Sequence, residues 1–391
     1  MTMNRRWITN VRIAMESAIL ECGSVLIENG HIVSVVEGPS DSFNGEDGTE
    51  RTDGNGLLLI PGMIDVHIHG ASGYDMMDGT KRSVEEVSSA CAAAGCTSFL
   101  ATSVSSSLED LLNMIDKVKE VTGHEPGARI AGIHAEGPYL NVKRKGMQNE
   151  AFLRHPDMAE MERIIGHADG MMKMVTVAPE LPGGMEMVAE LHRRGIVVAL
   201  AHSDATYDEA SEAFRRGASH VTHCFNGMRP IHHRDPGLVA AAFDQPHVSL
   251  QAIVDNVHLH PAVVRLMHRV KGPEGVVLIT DALQAMGLGD GTYTFGGHEV
   301  TVAGGVATLQ DGTLASSTVT MNEALRNTVQ LGIPLHDAVA MASRTPAVIL
   351  GLTNKGIIAP GADADLALLD ERFGVVWTMV GGRFVYESGA R

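Results

Sequence analysis

Apolar and β-branched residues fall in short runs through the middle of the chain, each separated from the next by a stretch with helical periodicity. The runs Met63–His69, Thr97–Thr102, Arg129–Ala135, Met172–Ala178, Ile196–Ala201, Ser219–His223, Val248–Val254 and Val276–Asp281 predict eight strands. Capping patterns open helices between them. Ser83 with Glu86 predicts a capping box before a helix that Gly95 ends, and Thr206 with Glu209 predicts another before a helix that Gly217 ends. Strict alternation over eight units predicts an α/β protein of the (β/α)8 TIM-like barrel class rather than an open doubly wound sheet. Residues 292–314 predict a hairpin-like insertion in the last unit, followed by helices over Thr320–Gln330 and Leu335–Ser343.

The two ends carry a different pattern. Arg6–Ala14 and Ser24–Val36 are rich in β-formers, with Glu28-Asn29-Gly30 as a hairpin turn, and residues 39–56 read as a polar, Gly-rich loop. Leu366–Leu369, Val375–Val380 and Arg383–Tyr386 alternate with tight turns. Together they predict a small discontinuous β-sandwich domain from both termini, residues 1–56 and 355–391, flanking a catalytic barrel over 57–354.

Composition narrows the function classes. A net charge of −17 argues against a nucleic-acid partner, which needs clustered cations, and against an anionic membrane surface. No apolar run approaches the ~20 residues of a membrane span, and no apolar stretch follows Arg5 and Arg6 to suggest a secretory leader. Cys22, Cys91, Cys96 and Cys224 show no paired spacing, so reduced thiols and a cytoplasmic location are expected. An anionic small substrate is still compatible with this charge if a local cationic pocket exists. Lys143-Arg144-Lys145 and the group Arg229, His232, His233, Arg234 are candidates, with a solvated loop and an Arg234–Asp235 ion pair as the plainer alternatives.

The chemistry sits at the carboxyl ends of the predicted strands, where barrels build their active sites. His67-Ile68-His69 ends the first, His134-Ala135-Glu136 the third, His202 follows the fifth, His223 ends the sixth and Asp281 the eighth. Residues i and i+2 of a strand point the same way, so His67 and His69 can share one cation. Imidazole suits zinc or ferrous iron, and a carboxylate such as Glu136 can bridge two ions. Asp281 is the candidate proton carrier. Any one of these residues alone would more often be structural; five features on five strands make a metal site.

The blocks His134-Ala135-Glu136-Gly137-Pro138, Ala201-His202-Ser203-Asp204-Ala205-Thr206, Thr222-His223-Cys224-Phe225-Asn226-Gly227-Met228 and Ile279-Thr280-Asp281-Ala282, in this order, resemble the N-acetylglucosamine-6-phosphate deacetylase family of the amidohydrolase superfamily. The resemblance runs from Pro61 to Asp365. It implies hydrolysis of the acetamido group of an N-acetylated amino-sugar 6-phosphate. Glu136, His202 and His223 would then hold a principal divalent metal, zinc first and iron second. His67, His69 and Asp281 would hold a second ion, giving one or two per subunit. Asp281 would move the proton. The resemblance also implies that Gln148, Asn226, Gly227 and His258 contact the phosphosugar, and that Arg234 reaches a neighbouring subunit's site in a homodimer. In some members a histidine stands where this chain has Gln148, and serine stands at Leu314-Ala315-Ser316-Ser317 where relatives often have glycine. An N-acetylgalactosamine-6-phosphate deacetylase or another N-acyl amidohydrolase is the alternative enzyme; a catalytically silent scaffold is the alternative outside catalysis.

Overall fold

The computed structural model describes residues 5–38 and 49–389. The first strands are β1 (Arg5–Ala14), β2 (Ile19–Glu28), β3 (His31–Glu37), β4 (Glu50–Asp53) and β5 (Leu58–Pro61). Asn29 and Gly30, both at positive φ, make the two-residue turn between β2 and β3, in the left-handed backbone that such hairpins require. Part of the expected 39–56 loop is strand: β4 pairs in parallel with β1, while residues 39–48 lie outside the described residues.

Eight parallel strands follow in the expected order: β6 (Met63–Ile68), then β9 (Cys96–Ser103), β10 (Arg129–Glu136), β11 (Met172–Val177), β12 (Val197–Leu200), β13 (His220–Val221), β14 (Ser249–Ile253) and β15 (Val276–Ile279). Two very short strands, β7 (Gly70–Ala71) and β8 (Tyr74–Asp75), form a small hairpin after β6. The barrel closes by a parallel bridge from Ile68 to Ala282. At the same seam Asp65 Oδ2 accepts the Thr280 hydroxyl at 2.5 Å, and the Asp281 N–H donates to the His67 carbonyl at 2.8 Å. Every residue of β6, β9, β14 and β15 is buried, as expected for parallel strands covered by helices on the outside and filled within.

The helix caps correct one expectation and bear out another. Thr80, not Ser83, caps the helix Lys81–Ala93: its hydroxyl accepts the Ser83 N–H, and Ser83 sits in the first turn with its own hydroxyl on the Thr80 carbonyl. Thr206 and Glu209 form the expected capping box before Tyr207–Arg215. The insertion is a three-stranded antiparallel sheet, β16 (Gly291–Phe295), β17 (His298–Ala303) and β18 (Val306–Thr308).

The last strands, β19 (Leu366–Leu369), β20 (Val375–Val380) and β21 (Arg383–Glu387), join those from the amino end in one sheet of order β21-β20-β19-β5-β1-β2-β3, with β4 branching from β1. Ile8, Ile13, Leu59, Leu366, Leu368 and Trp377 form its own apolar core. Among the described residues no helix is long and apolar enough to cross a membrane.

Candidate active site

Five strand ends deliver the donors. His67 lies in β6 with His69 just beyond it, and Glu136 is the last residue of β10. His202, His223 and Asp281 each sit two residues past the ends of β12, β13 and β15. All three take left-handed backbone, at φ 43°, 29° and 47°, which costs an L-residue free energy and recurs where function dictates a side chain's aim. The turns throw these side chains over the mouth of the barrel. Two buried groups result, His67 with His69 and Asp281, and Glu136 with His202 and His223, the donor atoms of each within 4.8 Å of one another.

Hydrogen bonds fix what these atoms offer. His202 Nδ1 is 2.8 Å from the Arg144 carbonyl, and His223 Nδ1 is 3.2 Å from the Asn226 carbonyl. A carbonyl only accepts, so each Nδ1 carries the hydrogen and each Nε2 is left with its lone pair. Those two Nε2 atoms face each other at 3.0 Å, with Glu136 Oε1 at 2.9 Å from one and 3.4 Å from the other. Three acceptors aimed at one point repel unless a cation lies among them. The second group repeats the arrangement: His67 Nε2 and His69 Nε2 are 3.0 Å apart, and Asp281 Oδ1 lies 3.4 and 3.1 Å from them. Glu136 stands between the groups, its Oε1 3.7 Å from His67 Nε2 and its Oε2 3.5 Å from His69 Nε2. This donor set fits a divalent metal with nitrogen and oxygen preferences.

The electrostatics agree. Burial opposes ionisation of Glu136, yet the positive charge of the His67 imidazole beside it holds its carboxyl well below the usual range. Asp281 is likewise held at about 2 against burial, by His67 and His69. Burial alone would lower His67, but Asp281 and Glu136 push it up to about 9. Two ionised, buried carboxylates demand positive charge at this place.

A cavity of about 230 Å³ opens onto the groups, and Gln148, Asn226, Gly227 and His258 line it together with Asp281. Gly227 has φ +63°, and a Cβ there would meet His202 Nδ1 at 2.9 Å, so glycine preserves the bond that orients His202. His258 Nδ1 bonds Asp255 Oδ2 at 2.7 Å; although burial works against it, Asp255 raises the imidazole above its ordinary value. Gln148 is held at both ends of its amide: Oε1 accepts from the Ser105 N–H at 2.9 Å and Nε2 donates to Glu136 Oε2 at 2.8 Å. Its amide thus braces the shared carboxylate as well as facing the cavity. Ser316, at φ 58°, also lines the cavity and places its hydroxyl 3.3 Å from Asp281 Oδ1.

The cationic candidates go elsewhere. Lys143, Arg144 and Arg229 all pair with Asp204, and Arg229 also takes Asp235 at 2.5 Å. The Arg234–Asp235 pair considered from sequence is therefore not formed. Arg234 is exposed on its loop, with Nη1 2.8 Å from His233 Nε2, and does not line its own chain's cavity. Sequence reasoning also missed Gln251, whose Oε1 meets His67 Nδ1 at 2.9 Å, and the buried chain from His134 through Thr176 to Thr222 beneath the donors. The available sign was a polar residue inside a strand otherwise fully buried.

Residues 58–385 match the Amidohydrolase family. The N-acetylglucosamine-6-phosphate deacetylase of Lysinibacillus sphaericus is 35% identical over 382 residues, covering 96% of both chains. This chain belongs to that deacetylase family. Among solved structures, a mutant N-acetyl-D-glucosamine-6-phosphate deacetylase of Mycobacterium smegmatis, in complex with N-acetyl-D-glucosamine-6-phosphate, superposes with a TM-score of 0.90 at 33% identity. It covers 98% of this chain and 100% of its own. An N-acetylgalactosamine-6-phosphate deacetylase of Escherichia coli O157:H7 is 36% identical over 82% of this chain and 85% of its own. Relatives named for both epimers thus match this chain over most of its length.

Proposed function

We propose that this enzyme hydrolyses the acetamido group of N-acetyl-D-glucosamine 6-phosphate, yielding D-glucosamine 6-phosphate and acetate. The observation that carries the reading is the pair of facing donor groups sharing Glu136, set at the floor of a cavity that His258 borders. When bound there, a divalent ion polarises an acyl oxygen and brings the acidity of water toward a pKa of roughly 7. Zinc is proposed first and iron second, in one or two ions per subunit.

The chain's own residues supply the rest. Asp281, ionised and open to the cavity, takes a proton from the water that adds to the acetyl carbon. It then returns that proton to the sugar nitrogen as the C–N bond breaks, so acetate leaves with the water's oxygen. Gln148 keeps Glu136 in place throughout. His258, with its raised proton affinity, and Asn226 with the Gly227 backbone are proposed to hold the phosphosugar. Arg234 is proposed to complete the phosphate site of a second subunit in a homodimer. The galactosamine epimer is the second reading, favoured only by the relative of that specificity. A silent scaffold would have had no reason to retain all six donors.

Replacing Asp281 with Asn should lower kcat by about 10²–10⁴-fold while leaving the ion held by Glu136, His202 and His223 in place. Turnover at the wild-type rate in that variant overturns the proton-transfer role. Equal kcat/KM on phosphorylated and unphosphorylated N-acetylglucosamine overturns the phosphosugar assignment.

A further inference from the structure

We propose that Gln251 is a positioning residue that couples the two donor groups through a single oxygen atom. It rests on the reading of those groups as metal sites. Gln251 lies in β14, fully buried, and belongs to neither group. Its Oε1 is 2.9 Å from His67 Nδ1, in the first group, and 3.1 Å from the backbone nitrogen of His223, in the second.

The orientation follows by elimination. A backbone N–H is a donor at every pH, so the atom facing His223 must be the amide oxygen, not the amide nitrogen. That oxygen can only accept, so His67 Nδ1 must donate to it. With the Nδ1 hydrogen held in this way, Nε2, the atom that faces His69, Asp281 and Glu136, is the nitrogen that can give up its proton to a cation. The same oxygen secures the His223 backbone at φ 29°, the strained turn that aims His223 at Glu136. One acceptor thus sets which His67 nitrogen is free for a cation and where His223 stands.

Packing does not account for glutamine here. The other end of the amide reaches only Met174 Sδ, at 3.7 Å, a weak acceptor. Leucine or methionine would fill the space without burying an amide. The residue is explained by what its oxygen holds. Partners that orient metal-ligating histidines typically carry 10–100-fold in metal affinity.

The test is metal uptake by the purified full-length protein. Cobalt(II) is titrated into stripped wild type, Gln251→Leu and Gln251→Glu against a chromophoric chelator, each also in a His67→Gln background, with circular dichroism to check folding. The coupling requires wild type to bind two ions per chain, and uptake of one alone overturns it. Gln251→Leu should weaken the second by at least about tenfold and alter the cobalt visible spectrum. Gln251→Glu, which keeps an acceptor oxygen, should recover most of that loss. In the His67→Gln background the leucine change should cost clearly less at the remaining ion. Wild-type binding by Gln251→Leu, failure of Gln251→Glu to recover, or an undiminished loss without His67 each overturns the coupling. If leucine prevents folding, Gln251→Asn, one methylene short of both donors, must show the same weakening. No uptake by the wild type would instead bring down the metal reading itself, and the coupling with it.

Discussion

A glycine shows how tightly single residues constrain the site. Gly227 lies against the bond between His202 and the Arg144 carbonyl, so Gly227→Ala should displace His202 and cost about 1–3 kcal/mol, read by thermal melting and by metal content. Asp75 makes a different residue-scale prediction. Burial raises its carboxyl from 3.8 to about 6, while its Oδ1 caps the following turn by accepting the Met77 N–H. The folded chain therefore holds this proton more tightly than the unfolded chain does. The resulting stabilisation is full below about pH 4 and is lost as pH rises through about 6. Asn keeps the cap without the charge, so metal-free Asp75→Asn should gain on metal-free wild type as pH climbs past 6. The gain is on the order of 2 kcal/mol and is read by denaturant titration across pH. At this scale the six donors were legible because imidazoles and carboxylates at strand ends stand out against apolar neighbours. The bonds of Gln148 and Gln251 were not legible. Each is made to a residue 12 or more positions away, and the choice of partner depends on which way an amide faces in the folded barrel.

Elements were read from periodicity, and periodicity is a property of burial. The strands with every residue buried appeared as short runs rich in apolar residues and were found where expected, β6 and β15 among them. β4 was not legible, because Glu-Arg-Thr-Asp becomes a strand only by pairing with β1. The cap before Lys81–Ala93 was misplaced by three residues because Thr80 and Ser83 are both good capping residues, and only the backbone distinguishes them. Where the capping box is present, it makes a clean prediction. Thr206→Ala removes the hydroxyl that accepts the Glu209 N–H and donates to Glu209 Oε2 at the head of Tyr207–Arg215, and leaves the Thr206 N–H on Glu209. It should cost about 1 kcal/mol, seen as a drop in Tm, with kcat/KM unchanged.

On the scale of the whole molecule, a chain of net charge −17 must bring an anionic substrate to a site floored by two carboxylates. Asp204 occupies Lys143, Arg144 and Arg229, so the cation set that the sequence offered is largely spent inside its own loops. An exposed Arg234 that does not line its own cavity suits a role in a partner. If so, Arg234→Ala and Asp281→Asn, each poorly active alone, should regain activity when their subunits are mixed and allowed to exchange. Mixed dimers then contain one site with both residues intact, and no recovery on mixing would assign Arg234 to its own chain or to no site at all. The pairing of distant segments that makes such a subunit was visible in outline from the strand patterns at both ends, although their order within one sheet was not.

That sheet has a consequence for how the protein is made. Leu58–Pro61 bonds on one side to β1 and on the other to Leu366–Leu369, some three hundred positions later. During synthesis the amino-terminal strands therefore leave the ribosome with an apolar edge open, and it stays open until Leu366–Leu369 emerges. Nascent chains cut short before Leu366 should be sticky and chaperone-dependent even with every barrel strand complete.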